Sequence, residues 1–74
     1  MRIKIKLFAS LRQGRFDSAA RELPEGAAVR DALREIAVPE KEAAIIFVNG
    51  RHSEPGSGLK DGDTLSVFPL IGGG

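Results

Sequence analysis

The chain contains no cysteine, no tryptophan and no tyrosine, and its one histidine is His52. Without cysteine there are no disulfides, no thiol nucleophile and no thiolate metal ligands. A small chain that folds without disulfide staples fits a reducing compartment, so a cytoplasmic location is expected. Charge of one sign is also missing. Eleven basic residues face ten acidic ones, for a net charge of +1, which argues against nucleic acid or an anionic membrane as the main partner. No apolar run approaches the roughly 20 residues that span a bilayer, and the N-terminus lacks the apolar stretch of a signal peptide. Catalytic constellations are absent. Ser10, Ser18, Ser53, Ser57 and Ser66 have no visible base–orienter pair, and His52, just past a turn, reads as a surface histidine. Asp61 and Asp63 flank Gly62, but the ligand series of a calcium loop is missing around them. They read as turn chemistry. No catalytic residue, metal or cofactor is expected.

What is present is one small domain, 74 residues long, with modest core-derived stability. Residues 2–8 open with Ile3, Ile5 and Leu7 on one face and Arg2, Lys4 and Lys6 on the other, the pattern of a half-buried strand. The basic row reads as a solvated face that also discourages aggregation. Residues 9–14 read as a turn in which Leu11 packs back, and residues 15–23 as a weaker strand forming a hairpin with the first. Val29, Ala32, Leu33 and Ile36 share one face of an amphipathic helix of about three turns. Ala27 and Ala28 are poor caps for its start, and Val38-Pro39 ends it. Glu40, Lys41 and Glu42 form a solvated bend or helical turn. Residues 44–48 are the most apolar run and predict a strand buried on both sides or near the sheet centre. Asn49-Gly50 is a tight-turn signal. A short return strand at 51–53 follows, then an irregular stretch to Gly58, the anchor Leu59 and a turn. The last strand is 64–68, with Leu65 and Val67 inward. The order β-β-α-β-(β)-β predicts an α+β fold, a mixed sheet of four to five strands with one main helix packed on one face.

Two features bear on function. Phe8 and Phe68 each end a strand and by parity point away from the core face. Parallel neighbouring first and last strands would bring them side by side, and adjacent exposed aromatics mark a protein interface. Beyond Phe68, Pro69 stops the strand. Leu70 and Ile71 are followed only by Gly72, Gly73 and Gly74, whose backbone entropy opposes a packed conformation. Residues 70–74 thus predict a flexible tail reaching roughly 15 Å from a body formed by residues 1–69. At its tip is the α-carboxylate of a residue without a side chain. Such a probe suits entry into a narrow active site on another protein.

Several segments together resemble the MoaD/ThiS sulfur carriers, and the resemblance covers essentially the whole chain. They are Ile3-Lys4-Ile5-Lys6-Leu7-Phe8-Ala9 with Leu11-Arg12, Val48-Asn49-Gly50, Leu59-Lys60-Asp61-Gly62-Asp63, and Phe68-Pro69 leading to terminal glycines. The opening and the Phe-Pro look more like the molybdopterin synthase small subunit than the thiazole-pathway carrier. The resemblance implies a ubiquitin-like β-grasp fold. It further implies that an ATP-dependent, ubiquitin-activating-type adenylyltransferase adenylates Gly74, and that sulfur transfer gives a C-terminal thiocarboxylate. The acceptor would be the large subunit of molybdopterin (or tungstopterin) synthase, or another sulfur-acceptor enzyme. Gly73 and Gly74 match the family diglycine, Phe8, Phe68 and Pro69 fall in its partner-binding region, and residues 70–73 thread the partner's active site. The chain itself would be a non-catalytic subunit. Leu70 stands where a second proline is common, Gly72 stands where a small residue is usual, and the chain is short around the helix. Sulfur delivery to thiazole synthesis, an interaction module with an inert tail, and conjugation to lysines remain open alternatives.

Overall fold

The computed structural model describes residues 1–70. Strand β1 (Arg2–Leu7) follows its alternation: Ile3, Ile5 and Leu7 are buried while Arg2 and Lys4 are exposed. A short 3-10 turn, Ala9–Arg12, buries Leu11 and replaces the plain turn expected there. The chain returns as β2 (Ser18–Glu22), antiparallel to β1, from Arg2 opposite Glu22 to Lys6 opposite Ser18. Residues 15–23 show mixed parity because the strand is shorter than that run. Phe16 and Leu23 lie outside β2 and pack on the core from its flanks.

Helix α1 (Val29–Glu35) is two turns long rather than three. Ile36 is its C-cap, and Ala37 takes a left-handed φ of 58°. The Ala37 N–H donates to the Arg34 carbonyl at 3.2 Å and the Val38 N–H to the Leu33 carbonyl at 2.9 Å. That is the Schellman closure, with alanine where glycine is usual. The helix start, poorly capped in sequence, is satisfied by Asp31 in its first turn and by a distant loop. The Asp31 carboxylate accepts from the Ala28 N–H at 2.8 Å. The Val29 and Arg30 N–H groups donate to the Ser57 and Pro55 carbonyls, each at 2.8 Å. The irregular stretch 54–58 is therefore the cap of a helix some 25 positions earlier in the chain.

After a 3-10 turn at Glu40–Glu42, β3 (Ile45–Val48) and β4 (Arg51–Ser53) form a hairpin. Its turn residues, Asn49 and Gly50, both have positive φ, 53° and 80°, as a two-residue turn between twisted strands requires. Strand β5 (Thr64–Phe68) lies between β1 and β3, parallel to the first and antiparallel to the second, in the order β2-β1-β5-β3-β4. Residues 44–48 were expected to be buried on both sides or near the sheet centre. The structure corrects this: β3 is next to the edge, Ile46 is 3% exposed and Ile45 is 44% exposed. With the one α-helix on one face of the sheet, only one parity of an apolar strand can be covered.

The core lies between that helix and the sheet. Val29, Ala32, Leu33 and Ile36 join Ile3, Ile5, Leu65 and Val67 in a single apolar cluster. Each large side chain fully buried there stabilises the fold by about 1.5–3 kcal/mol. The opposite face of the sheet carries no covering element among the described residues.

Candidate functional site

Parity and register assemble the site on that open face. Leu7 is opposite Val67 in the parallel β1–β5 pair, so the next residues, Phe8 and Phe68, emerge together at one end of the sheet. The Phe8 backbone stays extended and its N–H donates to the Val67 carbonyl at 3.2 Å. The two rings stack with centroids 4.2 Å apart and planes 8° from parallel. Both residues are half-buried. The expected side-by-side placement is therefore what the structure has.

Two further residues, missed in the sequence, enlarge the patch. Phe47 meets Phe68 edge-on with centroids 5.8 Å apart, and Ile45 is opposite Phe68 in the β3–β5 register. His52 closes the row with its ring edge-on to Phe47 at 6.0 Å. The signal was in the sequence. Asn49-Gly50 fixes the hairpin, and once Ile46 is inward, Ile45 and Phe47 must be outward. A run of four apolar residues concealed that alternation.

Pro69 continues the inward parity and is buried, so it anchors the end of β5 in the body. Leu70 is 77% exposed, beside the aromatic patch in sequence and directed to solvent. Ile71, Gly72, Gly73 and Gly74, which carry the tail and the modified terminus of the sequence reading, lie outside the described residues.

The acidic turn has a structural use. Asp61 accepts from the Arg2 N–H at 2.7 Å, and Asp63 accepts from the Lys60 N–H and from Asn49 Nδ2, each at 2.8 Å. Asn49 Oδ1 in turn accepts from the Thr64 N–H at 2.9 Å. The Leu-x-Asp-Gly-Asp segment and Asn49 thus tie together the starts of β1 and β5 and the β3–β4 turn. These carboxylates hold the fold by accepting backbone hydrogens. Among the described residues no group of three or more His, Asp or Glu side chains could hold a metal ion, and no helix is long and apolar enough to cross a membrane. Ser53 donates to the Arg51 carbonyl and Ser57 accepts from the Glu54 N–H, so both serve their own loops. What the open face offers chemically at this end is apolar and aromatic surface, with the exposed Leu70 next to it in sequence.

The sequence model of the ThiS family matches residues 5–74. Among solved structures, the putative molybdopterin converting factor subunit 1 from Pyrococcus furiosus is 39% identical. The match covers 96% of this chain and 99% of that one, with a TM-score of 0.77. Two more distant structures share the fold. Small archaeal modifier protein 1 of Haloferax volcanii is 22% identical over 95% of this chain and 98% of that one, with a TM-score of 0.77. Subunit 1 of the molybdopterin-converting factor from Helicobacter pylori, solved in complex with subunit 2, is 24% identical over the whole of both chains, with a TM-score of 0.62. With its five-stranded mixed sheet, single α-helix and essentially complete family match, the chain has the ubiquitin-like β-grasp fold and belongs to the ThiS family.

Proposed function

We propose that the chain is a cytoplasmic sulfur carrier, the non-catalytic small subunit of a molybdopterin (or tungstopterin) synthase. In this reading Gly74 is the reactive residue. ATP converts its carboxylate to an acyl-adenylate with release of pyrophosphate. A hydrosulfide-equivalent sulfur then attacks the carbonyl carbon, forms the C–S bond and expels AMP, leaving a thiocarboxylate. Activation is needed because a carboxylate is a poor electrophile, and a glycine terminus leaves the attacked carbon unhindered. The chain provides docking and delivery, and the activating adenylyltransferase and the large synthase subunit provide the chemistry. Residues 70–74 are the delivering tail and residues 1–69 the docking body.

The observation that carries the reading is the placement of the tail's root. Parallel pairing of β1 with β5 sets the stacked Phe8 and Phe68 at the sheet end from which Pro69 and Leu70 lead to the terminal glycines. A partner that grips the patch receives the tail at a fixed starting point, which converts threading into a near-intramolecular step. The 39% identity to a putative molybdopterin converting factor subunit 1 supports the choice of pathway. The Helicobacter pylori complex shows that a protein of this fold can dock on a second subunit. The test is mass spectrometry of the C-terminal peptide after incubation with ATP, the adenylyltransferase and a sulfur donor. Replacement of one oxygen by sulfur on Gly74 supports the reading. A terminus that stays an ordinary carboxylate, with the same enzyme loading another carrier, counts against it.

A further inference from the structure

The open face has a second half. Behind the aromatic end, Lys6 is opposite Ser66 on one side and Ser18 on the other, and Lys4 is opposite Thr64 and Ala20. Two positions along an extended chain are about 7 Å, so Lys6 comes up directly behind Phe8, and Lys4 behind Lys6. In these rows the acid is Glu22, and it is engaged by Arg2 at 3.5 Å. Among the described residues neither Lys4 nor Lys6 has a carboxylate within ion-pair distance. Their cross-strand neighbours are small or hydroxylated, so the ammonium groups are not screened by longer side chains. The helix side mixes ion pairs with cations such as Lys41 that have no ion-pair partner among the described residues. There Arg30 pairs with Glu40 at 3.2 Å and Arg34 with Asp31 at 3.5 Å, and Glu35 and Glu42 are exposed. The face that bears the aromatic patch thus carries two lysines that no carboxylate among the described residues neutralises.

We infer that the partner surface that docks here is acidic beside its apolar socket: an apolar recess receives Phe8, Phe68 and Phe47, and carboxylates face Lys4 and Lys6. This rests on the docking role proposed above and goes beyond it by naming the chemistry of the partner's surface. The division of labour follows from the physics. The aromatic end supplies binding energy that salt does not screen. The lysine row accelerates encounter and fixes which way round the sheet lands, so the tail points into the partner's channel. A partner with a basic rim would be rejected, since like charges across an interface are unfavourable.

Two experiments separate this inference from the sulfur-carrier reading. In the first, the free chain is titrated by two-dimensional NMR with two short synthetic peptides, one with a central leucine flanked by glutamates, the other by lysines. The glutamate peptide should shift the amides of Lys4, Lys6, Phe8, Phe47, Ser66 and Phe68, with shifts that shrink as sodium chloride is raised. The lysine peptide should leave them in place. Lys4→Gln/Lys6→Gln should abolish the preference, Lys4→Glu/Lys6→Glu should invert it, and Lys41→Glu, in the turn that Arg30 ties to the helix, should not change it. Equal response to both peptides overturns the inference. So do shifts that grow with protein concentration alone, which would assign the face to a second copy of the chain. In the second, the Lys4→Glu/Lys6→Glu chain is loaded by the adenylyltransferase. At low salt its KM as carrier should rise about tenfold with the saturated rate unchanged, and the gap should close as salt screens the charges. Equal KM values at every salt concentration remove the acidic surface and leave the carrier. A terminus that no enzyme loads, beside an intact peptide preference, removes the carrier and leaves the acidic surface.

Discussion

At the residue scale, the open face and the acidic turn divide the work. Phe8 and Phe68 are half-buried, and truncating either loses a stacked aromatic pair worth about 0.5–1.5 kcal/mol beyond the area it buries. An aromatic anchor at the centre of an interface is worth ~2 kcal/mol or more. Phe8→Ala and Phe68→Ala should therefore weaken partner binding by about thirtyfold or more while lowering stability by roughly 1–2 kcal/mol. Partner affinity measured beside the urea midpoint distinguishes the two effects, and a large stability loss with unchanged affinity would make these core residues instead. Asp63 is the reverse case. Its carboxylate holds the Lys60 N–H and Asn49 Nδ2, joining the last turn to the β3–β4 hairpin. Asp63→Ala should destabilise the fold by about 1–2 kcal/mol, discounted for solvent access to the turn. Docking affinity per folded molecule should be unaffected. A variant as stable as the parent would show that water replaces both bonds without loss.

At the scale of elements, α1 is short and is held by what lies outside it. Ala37 occupies a left-handed conformation at the Schellman closure without being glycine. Ala37→Gly should raise stability by about 0.5–1 kcal/mol, because the strain it removes exceeds the extra entropy of an unfolded glycine. An unchanged or lower midpoint of unfolding would show that the alanine methyl packs usefully. The elements also show what the sequence could reveal. Strand β1 and β5 were legible because strict alternation has one solution when a single face is buried. The α1 face was legible through Val29, Ala32, Leu33 and Ile36, whose spacing fits only a helix. Its end was not, because Ala37 takes the left-handed position where glycine is usual, and its cap was not, because no local pattern encodes the Pro55 and Ser57 carbonyls brought from a distant loop. In β3 four consecutive apolar residues erased the parity signal. Ile45 and Phe47 therefore read as core, although they extend the aromatic patch. Phe8 and Phe68 were legible as a pair because each terminates an alternating strand whose inward set was already fixed.

For the whole molecule, the sheet order decides the function proposed for it. Placing β5 in the middle, parallel to β1, means that the chain leaves from the centre of one sheet end, beside both aromatic rings. Leaving from an edge strand would separate Leu70 from the aromatic patch. In the proposed function this geometry serves a carboxylate on Gly74. Adding one residue after Gly74 moves the terminal carboxylate by about 3.5 Å and turns the old one into an amide, which cannot be adenylated in the same way. Such a chain should fold as the parent does and compete with it for the partner through Phe8 and Phe68. The measurement is mass spectrometry of the C-terminal peptide from parent and extended chains, each incubated with ATP, adenylyltransferase and sulfur donor. The parent should exchange one oxygen of Gly74 for sulfur while the extended chain, verified as untrimmed, remains an unmodified carboxylate. An untrimmed extended chain that gains sulfur as fast as the parent would contradict the assignment of Gly74 as the carrier residue.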